Sequence, residues 1–151
     1  MLKKIILYIL IISLSSCGYT SIYNNLNNIN LNFEIGTIEG DKDINNSLVR
    51  KFRRFSNNTD GETFIISIKS DYKKNIASKD SAGNATDYII SINTEFIIQN
   101  KGKTENINYT ENINLTKMED LFEEKQYELT IKENFASSIS DKVIQRLSIS
   151  K

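Results

Sequence analysis

Hydrophobic and polar positions follow two periods along this chain, and the change from one to the other marks its elements. Asn32-Phe33-Glu34-Ile35-Gly36-Thr37-Ile38 alternates as a first strand, with a slip at Ile38. Gly40 breaks it, and Asp41 or Asp43 can cap a following helix. In that helix Ile44, Leu48 and Phe52 recur every four residues beside Val49 and Phe55. Such spacing makes one apolar stripe. Arg50, Lys51, Arg53 and Arg54 cover the rest, and Asn57-Asn58-Thr59-Asp60-Gly61 ends the helix as a turn-rich loop.

Three strands are expected next. Phe64, Ile66 and Ile68 alternate with Ile65, Ser67 and Lys69. Tyr88, Ile90, Ile92, Thr94, Phe96 and Ile98 alternate with Ile89, Ser91, Asn93, Glu95, Ile97 and Gln99. Ile107, Tyr109, Ile113 and Leu115 alternate with Asn108, Thr110, Asn112 and Asn114. Period two gives each strand one apolar face. Lys73 to Asp87 reads as a long polar loop, whereas Asn100-Lys101-Gly102-Lys103 is short enough for a hairpin.

A long helix closes the chain. Thr116 and Glu119 match a capping box, with Glu119, Asp120, Glu123 and Glu124 near its start and Lys142 and Arg146 near its end. Ile131, Phe135, Ile139, Val143 and Leu147 form its stripe, widened by Ala136 and Ile144, and Glu128 with Lys132 is a favourable i,i+4 pair. The order β-α-β-β-β-α predicts an α+β fold over residues 31–151. It is a two-layer sandwich, a four-stranded mixed sheet packed by two amphipathic helices.

The first thirty residues follow a different rule. Met1-Leu2-Lys3-Lys4 is a positive start, Ile5 to Leu14 is an almost unbroken apolar run, and Ser15-Ser16-Cys17 follows. This is the layout of a secretory signal over residues 1–16. The apolar run is about half of the roughly 20 residues a bilayer-spanning helix requires. Leu14-Ser15-Ser16-Cys17 resembles the bacterial lipobox, which implies cleavage before Cys17 and lipidation of its thiol. Two or three acyl chains would hold the protein stably at a membrane. Gly18, in place of the aspartate associated with inner-membrane retention, implies the outer membrane. Residues 17–30, with Tyr19, Ile22 and Tyr23 as their few large apolar side chains, read as a tether.

Composition narrows the chemistry. The 151 residues suffice for one domain, and 39% hydrophobic with 25% charged residues suits a globule with one core. Basic and acidic residues number 19 each. Losing Lys3 and Lys4 with the signal leaves a slight acidic excess, which argues against a nucleic-acid binder. Histidine and tryptophan are absent and Cys17 is the lone cysteine. Ser-His-Asp and Cys-His nucleophiles, and zinc sites of His and Cys, are therefore excluded as usually built. No phosphate-cradling or dinucleotide-binding glycine pattern occurs. The expectation is a binding protein that is not an enzyme, with no metal and no cofactor.

Several segments together carry a resemblance. They are Cys17-Gly18-Tyr19-Thr20-Ser21-Ile22-Tyr23, Asn84-Ala85-Thr86-Asp87-Tyr88, Tyr109 in a final strand, and Tyr127 with Glu133-Asn134-Phe135-Ala136 followed by Ile139, Ile144 and Leu147. In this order the chain resembles the LPS-assembly lipoprotein (LptE) family, above all its alphaproteobacterial branch. Two positions depart: Ser21 stands where proline is usual, and Asp87 where arginine is common. The resemblance implies a lipoprotein that sits inside the outer-membrane β-barrel LptD, helps it assemble, and helps lipopolysaccharide reach the cell surface. On that reading Lys73, Lys74 and Lys79 in the long loop are candidates to meet lipid phosphates by charge-assisted contacts. Arg50, Lys51, Arg53 and Arg54 are a second candidate patch. The alternative is a different outer-membrane lipoprotein, an accessory of barrel insertion or an activator of cell-wall synthesis.

Overall fold

In the computed structural model, residues 31–56 and 61–149 are described; the expected signal, Cys17 and the tether lie outside them. Strand β1 (Leu31–Gly40) leads into helix α1 (Lys42–Arg53), then β2 (Glu62–Lys79), β3 (Ala85–Asn100), β4 (Lys103–Thr116) and helix α2 (Leu121–Ile149). The sheet order is β1-β2-β3-β4. β1 pairs with β2 in parallel, and the other neighbours are antiparallel. This is the expected mixed sheet with two helices in the order β-α-β-β-β-α.

The slip at Ile38 has a cause. The β1–β2 register shifts between Ile35 and Ile38, and Ile38 is left exposed. Gly40 then takes φ +97°, and a Cβ there would lie 1.7 Å from the Ser70 carbonyl oxygen, so no side chain fits. Of the two candidate caps, Asp41 is the one used: its Oδ1 accepts from the N–H groups of Asp43 and Ile44, each at 3.0 Å.

Both helices cover one face of the sheet. Ile44, Leu48 and Phe52 of α1 and Ile131, Phe135, Ile139, Val143 and Leu147 of α2 are buried. They meet Ile66, Ile68, Ile90, Ile92, Phe96, Ile98, Ile107 and Leu115 from the strands. Phe33 packs edge-on against Phe52 and Phe55, and Phe52 against Phe96. The opposite sheet face carries Ser67, Ser91, Asn93, Asn106, Asn108, Thr110, Asn112 and Asn114 beside Ile65, Ile89 and Ile97, and no helix among the described residues lies over it. The beginning of β1, the β3–β4 turn and the end of α2 share one end of the sandwich: Leu31 is level with Glu62, Lys101 pairs with Glu62, and Arg146 pairs with Glu105.

Two expectations fail. Lys73 to Asp87 is not a long loop: β2 runs to Lys79, β3 begins at Ala85, and only Asp80–Asn84 turns. Polar residues on the uncovered face need no apolar partner, so the strand continues through a segment that reads as hydrophilic. The Asp80 carboxylate closes the turn by accepting from Ala82 and Asn84. Nor do Thr116 and Glu119 form a capping box. Thr116 is the last residue of β4, held opposite Asp87, and Asp120 caps α2 by accepting from Phe122 N at 2.7 Å. The sheet ladder claims Thr116 before a helix can.

Candidate functional site

The alternation of β2 decides the fate of the lysines. Lys73 and Lys74 are neighbours in a strand, so their side chains leave opposite faces of the sheet. Lys73 stands on the uncovered face and pairs with Asp71 at 2.9 Å; the hydrogen bond to Asp71 raises its pKa. Lys74 points under α2, and Lys79 ends β2, exposed, beside the turn. The three do not make one patch.

Lys74 is the centre of a cluster the sequence reading missed. Its Nζ donates to Glu124 at 2.6 Å and Glu128 at 2.5 Å and lies 4.1 Å from the Tyr88 ring centre. Burial acts to lower its pKa, but the bonds to Glu124 and Glu128 outweigh burial and raise it. Glu124 also accepts from the Met118 N–H at 3.0 Å, and Lys74 with that backbone bond holds its carboxyl below the ordinary range. The Tyr72 hydroxyl donates to Glu128 at 2.7 Å; burial and that carboxylate push the phenol far upward.

Lys132 extends the network to α1. Its ammonium donates to Asp41 at 2.7 Å and Asp43 at 3.2 Å, over the Tyr72 ring. Burial works against the charge, and the two aspartates overcome it, so its pKa rises. Glu128 and Lys132 therefore turn to β2 and α1, and the expected i,i+4 pair gives way to longer-range partners. The first turns of α2 are fastened by these ion pairs, while Leu121 and Phe122 stay exposed. One signal for this was in the sequence. Tyr72, Lys74 and Ile76 continue the even-numbered row of Ile66 and Ile68, so a charge there faces the helices.

The second candidate patch is partly assembled. Arg50, Lys51 and Arg54 line a shallow groove of about 200 Å³ between the two helices, with Ser47, Glu133 and Ser137. Arg50 approaches Glu133 at 3.6 Å, and Lys51 approaches Asp141 at 3.5 Å. Arg53 is exposed and does not line the groove. Asp87, the departure from the family pattern, accepts from the hydroxyls of Thr86 and Thr116 at 3.0 Å, and these bonds lower its pKa. It ties β3 to β4 and offers nothing to an anion. Among the described residues no group of three or more acidic side chains is placed to hold a metal ion.

The fold is similar to solved structures. One is the rare lipoprotein B from Shewanella oneidensis, at 16% identity and TM-score 0.54, over 76% of this chain and 94% of that one. Another is a minor lipoprotein from Acinetobacter baumannii, at 13% identity and TM-score 0.51, over 77% of this chain and 92% of that one. At such identities the likeness is one of fold. No protein-family model matches the sequence. No curated protein matches it.

Proposed function

We propose that this chain is a lipoprotein anchored at the outer membrane through Cys17, that it occupies and helps assemble the LptD β-barrel, and that it supports lipopolysaccharide transport to the cell surface. The observation that carries the reading is the one-sided sandwich. The described helices pack on one sheet face, while the other face presents mostly Ser, Thr, Asn and charged side chains along three strands, with Ile65, Ile89 and Ile97 among them. A protein seated in a water-filled lumen requires such a polar exterior, able to exchange bonds with water for bonds with a polar wall. The signal and lipobox pattern at residues 1–17, and the fold shared with structures named as lipoproteins, support the anchoring.

Within this reading the helix groove is the better place for lipid phosphates. Arg50, Lys51 and Arg54 converge there with only long pairings, Arg50 to Glu133 at 3.6 Å and Lys51 to Asp141 at 3.5 Å, whereas Glu124 and Glu128 hold Lys74 at 2.6 Å and 2.5 Å. Pull-down of the full chain from native membranes tests the proposal: a large β-barrel should be recovered in near one-to-one amount. Recovery of a peptidoglycan synthase, or of no barrel, would favour the other lipoprotein roles. Normal surface lipopolysaccharide in a depleted strain would refute the transport part.

A further inference from the structure

The two edges of the sheet are built differently. β1 carries a register shift between Ile35 and Ile38 and the charges of Glu34 and Glu39, features that discourage strand addition. β4 lacks the register shift, and its charges leave its middle almost bare. Its fourteen residues pair with β3 without a register break, and from Asn106 to Asn114 the one charge is Glu111. Among the described residues no strand lies on its outer side. Tyr109 and Ile113, on the helix-facing row, are only half-buried at this edge.

Hairpin geometry fixes which groups are free. Lys101 and Gly102 both have positive φ, +47° and +78°, so Asn100 and Lys103 close a two-residue turn as a hydrogen-bonded pair. Bonded pairs then recur every second residue. The odd residues of β4 spend their backbone groups on β3, and those of Asn106, Asn108, Thr110, Asn112 and Asn114 point outward.

The outward stretch is symmetric. Asn106-Ile107-Asn108-Tyr109-Thr110-Glu111-Asn112-Ile113-Asn114 reads the same from either end, except that Tyr109 and Glu111 exchange places. We propose that β4 is a self-association edge, along which two copies of this chain pair antiparallel about Thr110. Asn106 then faces Asn114, Asn108 faces Asn112, Ile107 faces Ile113, and the Tyr109 hydroxyl of each copy lies beside Glu111 of the other. The even residues that meet are those whose backbone groups are free, and both pairs of helices fall on one side of a continuous sheet. A two-fold axis through Thr110 makes the contact isologous and closed. It also sits at the middle of β4, so this register overlaps the two strands almost completely. The inference goes beyond the barrel reading and does not rest on it; a barrel wall and a second copy would compete for this edge.

The test uses the full chain in mild detergent. Sedimentation should give twice the monomer mass. Asn108→Lys with Asn112→Lys, which sets lysines opposite each other on both sides of the axis, should return it to a monomer with an unchanged circular-dichroism spectrum. In a Cys17→Ser background, Thr110→Cys should oxidise to a covalent dimer, since facing Cα atoms of a bonded pair lie about 5.5 Å apart, within disulfide reach. Asn106→Cys should not, because its own copy lies about 27 Å along the strand; mixing it with Asn114→Cys should restore cross-linking. A monomer at every concentration reached would overturn the proposal. So would a dimer indifferent to the two lysines, or cross-linking by Asn106→Cys as fast as by Thr110→Cys.

Discussion

The two ends of the helix–sheet interface are held by different physics. Near the beginning of β1 the layers meet through Phe33, Phe52, Phe96 and Leu147, all buried, with aromatic rings edge to face. Near the beginning of α2 they meet through Lys74, Glu124, Glu128 and Tyr72, and Lys132 bonds across to Asp41 and Asp43. The apolar end draws stability from area removed from water and tolerates some change of shape. The ionic end gains little over an apolar equivalent but is costly to break by halves, because each partner removed strands a desolvated charge. A helix of 29 residues is thus cemented at one end and bolted at the other.

The sharpest way to break the apolar end is Phe52→Ala. It should cost about 3–5 kcal/mol, read as a fall in the denaturation midpoint. At the ionic end Lys74→Ala, leaving Glu124 and Glu128 without their cation, should cost about 3 kcal/mol. Lys73→Glu, one residue away but on the uncovered face, should stay within about 0.5 kcal/mol of the parent. Equal losses from the two lysine variants would mean that both point the same way.

The ionic end should also carry the pH dependence. The folded pKa of Glu124 lies below its ordinary 4.5, so its contribution is complete above that value and is lost as the pH falls through the folded one. Lys74 and Lys132 have folded values above 10.5; their contribution holds below that and is lost as the pH rises past the folded ones. Midpoints measured from about pH 6 to about pH 3 should fall for the parent and more shallowly for Glu124→Gln. Parallel curves would remove Glu124 from the account. A change of opposite sign tests the seam between the two ends. Thr94 is fully buried, and its hydroxyl has no hydrogen-bond partner among the described residues. Thr94→Val should stabilise the chain by about 1 kcal/mol.

The apolar packing was legible in the chain and the ionic cluster was not, for a physical reason. Ile44, Leu48 and Phe52, or Ile90, Ile92 and Phe96, announce themselves by local period, because each face must be apolar whatever lies opposite. Lys74 and Glu124 are fifty residues apart. Their pairing depends on where α2 lands, and no periodicity carries that. The same gap hid the length of β2, since a run of polar residues looks like a loop until one knows that half of the sheet stays uncovered. Of the candidate basic residues, Arg50, Lys51 and Arg54 remain together because a helix keeps them on neighbouring turns, while a strand separates Lys73 from Lys74.

Leu31 and Ile149 leave the sandwich at the same end, and β2 rises from there for 18 residues before it turns at Asp80. At about 3.3 Å per residue the hairpin tip stands on the order of 55 Å from the point where the chain enters. Under the anchoring proposed through Cys17, the molecule would be a spar with a fixed foot and a far masthead. The tip would then stand farther off than the span of a lipid bilayer's hydrocarbon core, roughly 30 Å.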